Sequence, residues 1–180
     1  MTIWKTLAVC AASLALGAGG ASAEPTTTKV RITGLFVPDR EKDLRILFEL
    51  WPELKIVGVD FAHAEATLSF DAEKVFPKAK AAEVIAKLDE RVRNASTATF
   101  GVKPISGVPR DKLQRVEIAV AGLDCKACCL GAYEIVAAID GVEQATASFK
   151  DGKITARIDP AKTDRAKLEA ALKQRGVTVR

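Results

Sequence analysis

The chain is poor in the side chains that most enzyme active sites require. It contains a single histidine among 180 residues. With one imidazole, neither a Ser/His/Asp nor a Cys/His catalytic constellation can be assigned to it. A glycine-rich phosphate loop and an HExxH metal motif are also absent from the sequence. These absences argue against an enzyme.

The chain also lacks a strong charge of either sign. Its 27 lysines and arginines against 23 aspartates and glutamates give a net charge of +4. That modest balance gives no case for a nucleic-acid partner. After the N-terminal segment there is no apolar run long enough to span a membrane, since a spanning helix needs roughly 20 apolar residues.

The first 23 residues have the pattern of a secretory signal peptide. Lys5 provides a positive n-region, residues 7–18 an apolar h-region and residues 21–23 a small-x-small cleavage site. We therefore expect cleavage after residue 23 and a secreted, periplasmic protein. An uncleaved anchor and lipidation at Cys10 are the alternatives, although the bulky Val9 disfavours lipidation.

Three of the four cysteines stand within five residues of one another. Cys125 and Cys128 are separated by two residues, and Cys129 follows at once. A disulfide framework spreads an even number of cysteines over distant segments, which this cluster does not do. An exported protein with such a thiol cluster is expected to bind a ligand or to take part in redox chemistry.

The cysteines lie between a predicted strand and a predicted helix. Apolar and polar residues alternate over 116–120, and apolar residues recur at helical spacing at Ala132, Ile135, Val136 and Ile139. The partial positive charge of a helix N-terminus favours a thiolate over a thiol. The thiolate is the form that binds soft metals and exchanges disulfides.

The mature part of the chain contains an internal repeat. A shift that places Gly34 on Gly122 also places Asp71 on Asp159, with no gap between. The matched sets are Leu44, Leu47, Phe48 and Trp51 with Ala132, Ile135, Val136 and Ile139; Val57, Val59 and Phe61 with Ala145, Ala147 and Phe149; and Ala66, Leu68 and Phe70 with Ile154, Ala156 and Ile158. Each copy therefore reads strand, helix, strand, strand, helix, strand.

Local signals support these elements. Asp39 and Asp164 are predicted to cap helix N-termini, because a carboxylate accepts hydrogen bonds from the free N–H groups there. Asn94 and Gly176 are predicted to follow helix ends. Residues 150–152 form a predicted hairpin turn.

The element order predicts an α+β fold of two tandem ferredoxin-like βαββαβ sandwiches after the signal peptide. In each, one face of the sheet packs against two helices. We place the first domain at residues 26–103, a linker at 104–112 and the second domain at 113–180.

The second copy resembles the heavy-metal-associated (HMA) domain family, which includes copper chaperones, periplasmic mercury-binding proteins and the N-termini of metal-pumping P-type ATPases. The family motif Gly-Met-Thr/Asp-Cys-x-x-Cys stands here at residues 122–128. Its Gly-Val after the first helix stands at 141–142, and its Asp-Pro after the third strand at 159–160. The resemblance implies that Cys125 and Cys128 hold a metal ion.

The second copy departs from the family motif at three positions. Leu123 replaces the methionine, and leucine should preserve its packing under the loop. Asp124 resembles the aspartate of zinc, cadmium and lead pumps, which implies an oxygen ligand. Cys129 is an additional thiol, and it is either a third ligand or a small buried core residue.

The first copy lacks the metal loop altogether, since Val37 and Arg40 stand where the two cysteines would be. We therefore expect a degenerate first domain that folds like the second but binds no metal. Its expected role is scaffolding or docking, on a membrane pump or on another copy of itself.

Two thiolates suit soft metals. They suffice for near-linear Cu(I) or Hg(II), whereas Zn(II) prefers four ligands and a third thiolate would suit Hg(II), Pb(II), Cd(II) or arsenite. We predict an exported protein that binds or carries copper, mercury, zinc or cadmium through Cys125 and Cys128. The resemblance implies a metal-transporting ATPase or another thiol-rich acceptor as partner.

A thiol-disulfide redox protein is the alternative function, because a C-x-x-C at a helix N-terminus is also the thioredoxin-type arrangement. The predicted element order differs from that of thioredoxin, and no proline-bearing active-site partner is recognisable.

Overall fold

The computed structural model describes residues 26–180. The predicted signal peptide at 1–23 and Cys10 lie outside the described residues. Within the described part, no helix is both long enough and apolar enough to cross a membrane.

The first domain follows the predicted order, with one short helix added. Its elements are β1 (Thr26–Thr33), α1 (Arg40–Phe48), β2 (Lys55–Asp60), β3 (Glu65–Phe70), α2 (Ala72–Val75), α3 (Val84–Ala95) and β4 (Gly101–Lys103). The strands form an antiparallel sheet in the order β2-β3-β1-β4. Leu44 of α1 and Leu88 of α3 are fully buried in the same core as Val30 of β1. Burial of each such side chain contributes roughly 1.5–3 kcal/mol.

The second domain repeats the pattern with a shortened last strand. Its elements are β5 (Gln114–Ala119), α4 (Lys126–Ala137), β6 (Val142–Ser148), β7 (Lys153–Ile158) and α5 (Arg165–Gln174). The sheet order is β5-β7-β6, and an isolated antiparallel bridge between Val120 and Val179 takes the place of a fourth strand. The predicted α+β fold of two tandem βαββαβ sandwiches is therefore confirmed.

Two apolar residues of the matched sets of the repeat are exposed. Val57 is 62% exposed because a register shift between Ile56 and Gly58 forms a bulge, and the extra residue turns Val57 away from the core. Phe149 is 65% exposed because β6 ends at Ser148, before the turn that carries Phe149. Strict alternation along the sequence cannot locate either interruption.

The two domains contact each other through the connection between β1 and α1. We call residues 34–39 the vestigial loop, because it occupies the repeat position of the C-x-x-C loop. Its Phe36 is 2% exposed and belongs to the hydrophobic core of the second domain. The vestigial loop thus lies beside the element that carries the three clustered cysteines.

Candidate metal centre

Residues 122–128, here called the metal loop, leave β5 and enter α4. Gly122 has a φ of +80°, a left-handed conformation that favours glycine. Leu123 is 4% exposed and packs into the core, in the place expected for the family methionine. Cys125 is the N-cap residue of α4, and its Sγ accepts a hydrogen bond from the backbone N–H of Cys128 at 3.2 Å. The loop therefore presents its first thiol at the helix N-terminus.

The three clustered cysteines are free and differ sharply in exposure. Cys125 is exposed, Cys128 is half-buried and Cys129 is fully buried. Because an α-helix turns by about 100° per residue, consecutive residues cannot share a face. Because Cys128 lies on the side of α4 near the loop, Cys129 lies on the side that packs into the core. The three thiols therefore do not share one exposed face.

Cys125 and Cys128 remain the two thiols at the surface. Over residues 26–180, no group of three or more His, Cys, Asp or Glu side chains is placed to hold a metal ion. Asp124 is exposed next to Cys125 and belongs to no such group. The geometry therefore favours the core role for Cys129 and offers a pair of thiols with an incomplete ligand shell.

The two surface thiols have opposite pKa shifts. A hydrogen bond from the Cys128 thiol, and a second from the Cys128 backbone N–H, lower the pKa of Cys125, while the Asp124 carboxylate opposes them weakly. The same contact with Cys125 raises the pKa of Cys128. Burial raises the pKa of Cys129. Cys125 is thus the thiol that ionises first, and a thiolate is both the metal ligand and the nucleophile.

A surface groove of about 900 Å³ reaches Cys128 between α4 and α5. Gly131 and Arg175 both line this groove. Lys153, in the strand that follows the hairpin turn, has its Nζ 3.3 Å from the Glu117 carboxylate. Arg175 is therefore better placed than Lys153 to offset negative charge on the thiolates.

The first domain contributes a contact to the metal loop that sequence reasoning missed. Lys126, between the two cysteines, has its Nζ 3.9 Å from the Asp43 carboxylate of α1. One feature of the sequence could have indicated that the domains contact each other here. Phe36 is a large apolar residue at the repeat position of the exposed Asp124. An apolar side chain in a loop whose other copy is polar indicates a buried contact.

In the first domain, the two positions that match the cysteines are occupied by residues that make packing contacts. Val37 packs against the core of the second domain. The guanidinium of Arg40 lies 4.0 Å from the centroid of the Phe100 ring and makes an ion pair with Asp43 at 2.8 Å. Residues 26–103 contain no cysteine, so this domain offers no thiolate site.

No protein-family model matches the chain, and no curated protein matches it. Solved structures do match. The N-terminal domain of ZntA in the apo form is 31% identical, over 38% of this chain and 90% of that one, with a TM-score of 0.35. Oxidized MerP from Ralstonia metallidurans CH34 is 26% identical over 38% and 94%, with a TM-score of 0.36. The N-terminal soluble domains of Bacillus subtilis CopA are 16% identical over 87% and 93%, with a TM-score of 0.36.

The sequence and the geometry of the second domain agree on one family. The C-x-x-C motif lies on a strand-to-helix loop in a βαββαβ domain. The second domain therefore resembles the heavy-metal-associated domain family in its motif and in its fold.

Proposed function

We propose that this chain is an exported protein that binds or carries a soft heavy-metal ion through Cys125 and Cys128. The observation that carries the proposal is the pair of free thiols at the start of α4, one exposed and one half-buried. The pKa of Cys125 is lowered by its contacts with Cys128, which favours the thiolate. Thiolates prefer Cu(I), Hg(II), Cd(II) and Zn(II) over hard cations.

These ions differ in how many ligands they need, and the site offers two thiolates. Two thiolates complete the shell of near-linear Cu(I) or Hg(II), while Zn(II) needs four ligands in a tetrahedron. Because Cys129 is buried, a tetrahedral ion would need Asp124, water or side chains of an acceptor to complete its shell. An incomplete shell suits a carrier, since the ligands of an acceptor can enter and remove the ion.

A metal titration tests this function. The full chain with Cys10→Ser, kept reduced, should bind about one equivalent of Cu(I) or Hg(II), as a two-thiolate site requires. Cys125→Ser/Cys128→Ser should abolish tight binding, whereas Cys129→Ala is the matched control and should retain it. Equally tight binding by the double variant would contradict the proposal.

A thiol-disulfide redox function is the second candidate, and the lowered pKa of Cys125 favours it. The Cys125 thiolate would attack a substrate disulfide and release one thiol. Cys128 would then displace the second thiol and form the Cys125–Cys128 disulfide. Measured rates with a model disulfide decide between the candidates: inertness together with intact metal binding supports the metal carrier.

Export and the acceptor also belong to this proposal. The signal-peptide pattern at 1–23 supports a periplasmic location. A mature protein that begins at Glu24 in a periplasmic fraction, measured by mass spectrometry, tests the cleavage. A metal-transporting ATPase or another thiol-rich protein is the acceptor that a two-thiolate carrier would serve.

A further inference from the structure

The vestigial loop carries an aromatic side chain out of its own domain. Phe36 is 2% exposed and lies in the core cluster of the second domain, together with Cys129 and Ala147. The centroid of its ring is 5.6 Å from that of Tyr133, which belongs to α4. A buried aromatic ring supplies one of the largest apolar contacts that a single residue can make. The core beneath α4 therefore contains a residue from the other domain.

Main-chain groups pair across the same junction. The carbonyl of Phe36 accepts a hydrogen bond from the N–H of Ala147 at 2.9 Å, and Ala147 belongs to β6, an edge strand. The N–H of Gly34 donates to the hydroxyl of Tyr133 at 2.7 Å, and this bond is buried. A buried polar group without its partner is costly. These two hydrogen bonds give Ala147 and Gly34 a partner across the junction.

The conformation of the vestigial loop depends on Gly34. Its φ is +96°, and a Cβ there would lie 2.1 Å from the carbonyl oxygen of Thr99. Only glycine lets the backbone approach that closely. The loop is therefore held against its own domain on one side while it contacts the second domain on the other.

Charged pairs join the domains beside the apolar contact. Arg31 of β1 forms an ion pair and a hydrogen bond with Glu143 of β6. Asp43 of α1 lies 3.9 Å from Lys126 in the metal loop. A cavity of about 310 Å³ between the domains is lined by both loops and by Cys129. The junction therefore borders the first turn of α4.

We propose that the vestigial loop is an intramolecular dock that supports the metal loop of the second domain. Phe36 completes the core beneath the start of α4, and its carbonyl binds the exposed edge of β6. The partner that the degenerate domain docks on is thus the second domain of the same chain. This inference does not depend on the proposed metal function, since every contact is made by the metal-free protein.

The test uses two reporters at the junction. In the reduced, metal-free full chain with Cys10→Ser, Phe36→Ala should raise the rate of hydrogen exchange at the Ala147 amide about tenfold. Without the buried ring, the carbonyl of residue 36 is no longer held in place as the acceptor of that N–H. The same variant should raise alkylation of Cys129 by iodoacetamide by a similar factor of about ten, because a fully buried thiol reacts only through local opening. Nuclear magnetic resonance and mass spectrometry measure the two rates.

Two further variants complete the design. Tyr133→Phe keeps the ring and removes only the hydroxyl, so exchange of the Gly34 amide should rise about tenfold. Leu50→Ala is the control, since Leu50 is a 63% exposed aliphatic residue of the first domain. It should leave all three rates unchanged.

Wild-type rates at Ala147 and Cys129 in folded Phe36→Ala protein would overturn the proposal, as would equal increases in Leu50→Ala. If Phe36→Ala fails to fold, Tyr133→Phe decides. Faster exchange at Gly34 then supports the dock, and an unchanged rate overturns it.

Discussion

At the scale of single residues, Cys129 shows how one helical step separates a thiol at the surface from a thiol in the core. Cys128 is half-buried in the loop region, while Cys129 is fully buried. We expect Cys129→Ser to lower the free energy of unfolding by about 1–3 kcal/mol, because it places a hydroxyl in an apolar site. Cys129→Ala should cost less, and urea unfolding of both variants measures the difference.

Metal stoichiometry separates this structural role from a ligand role. Both variants should bind the same number of Cu(I) or Hg(II) equivalents as the wild type, because the two surface thiols are unchanged. A loss of Hg(II) or Cd(II) binding in Cys129→Ala would show that Cys129 reaches the ion.

The surface thiols should also differ in reactivity with pH. The contacts with the thiol and backbone N–H of Cys128 lower the pKa of Cys125, and contact with Cys125 raises the pKa of Cys128. A lowered pKa means that the thiolate forms at lower pH, so Cys125 should be alkylated first as pH rises. Cys128→Ala removes the thiol donor and should shift the alkylation midpoint of Cys125 upward. An unchanged midpoint would mean that the backbone N–H alone stabilises the thiolate.

Asp124 bears on the choice of ion. A carboxylate adds charge and an oxygen donor, which helps Zn(II) or Cd(II) more than Cu(I), since Cu(I) is satisfied by two sulfurs. We expect Asp124→Thr to weaken Zn(II) or Cd(II) binding about tenfold and Cu(I) binding by about twofold or less. Competition titrations under reducing conditions measure both constants. Equal losses would mean that Asp124 is only a loop residue.

At the scale of elements, the sequence predicted most of the helices and strands but not all of their ends. Period and turn signals are local, so the order of elements could be predicted. Asn94 was expected to follow a helix end, yet α3 continues to Ala95, and Thr97 and Ala98 take the positive φ values instead. Asp39 does stand at the N-cap of α1 but makes no capping hydrogen bond with its side chain. Where a helix ends depends on the capping hydrogen bonds and tertiary contacts available to its last turn. The periodicity of the sequence does not show these.

The predicted N-cap of α5 is present in the structure, with its hydrogen bond. Asp164 is the N-cap residue, and its Oδ1 accepts a hydrogen bond from the Lys167 N–H at 2.8 Å. Asp164→Ala should lower the free energy of unfolding by about 1 kcal/mol, the usual value of such a cap. Asp164→Asn keeps an acceptor oxygen and should restore most of it. Thermal unfolding of the pair checks the order, and equal losses would contradict the capping role.

At the scale of the whole molecule, the sequence predicted two similar domains and one thiol loop but not the junction between the domains. The C-x-x-C motif could be found because its residues are neighbours along the chain. The contacts of Phe36 with Tyr133 and Ala147 join distant segments. Such contacts depend on the shape of the folded domains and on the main-chain groups that each leaves without a hydrogen-bond partner. Neither can be read from a single sequence. The sequence therefore showed that the first domain lacks the two cysteines. That its loop instead contacts the second domain could be seen only in the folded structure.

At the proposed metal site, we expect the junction to affect the rate of metal exchange. In the proposed carrier, ligands of an acceptor must reach an ion held by Cys125 and Cys128, and the dock restrains the start of the helix beside these thiols. Phe36→Ala should therefore speed transfer of Cu(I) to a chromogenic chelator by roughly threefold to tenfold, with an unchanged binding stoichiometry. Stopped-flow absorbance measures the rate, and Leu50→Ala serves again as the control. If the rate stays at the wild-type value while Ala147 exchanges faster, the metal loop moves independently of the dock, and the first domain then stabilises the second without governing release of the ion.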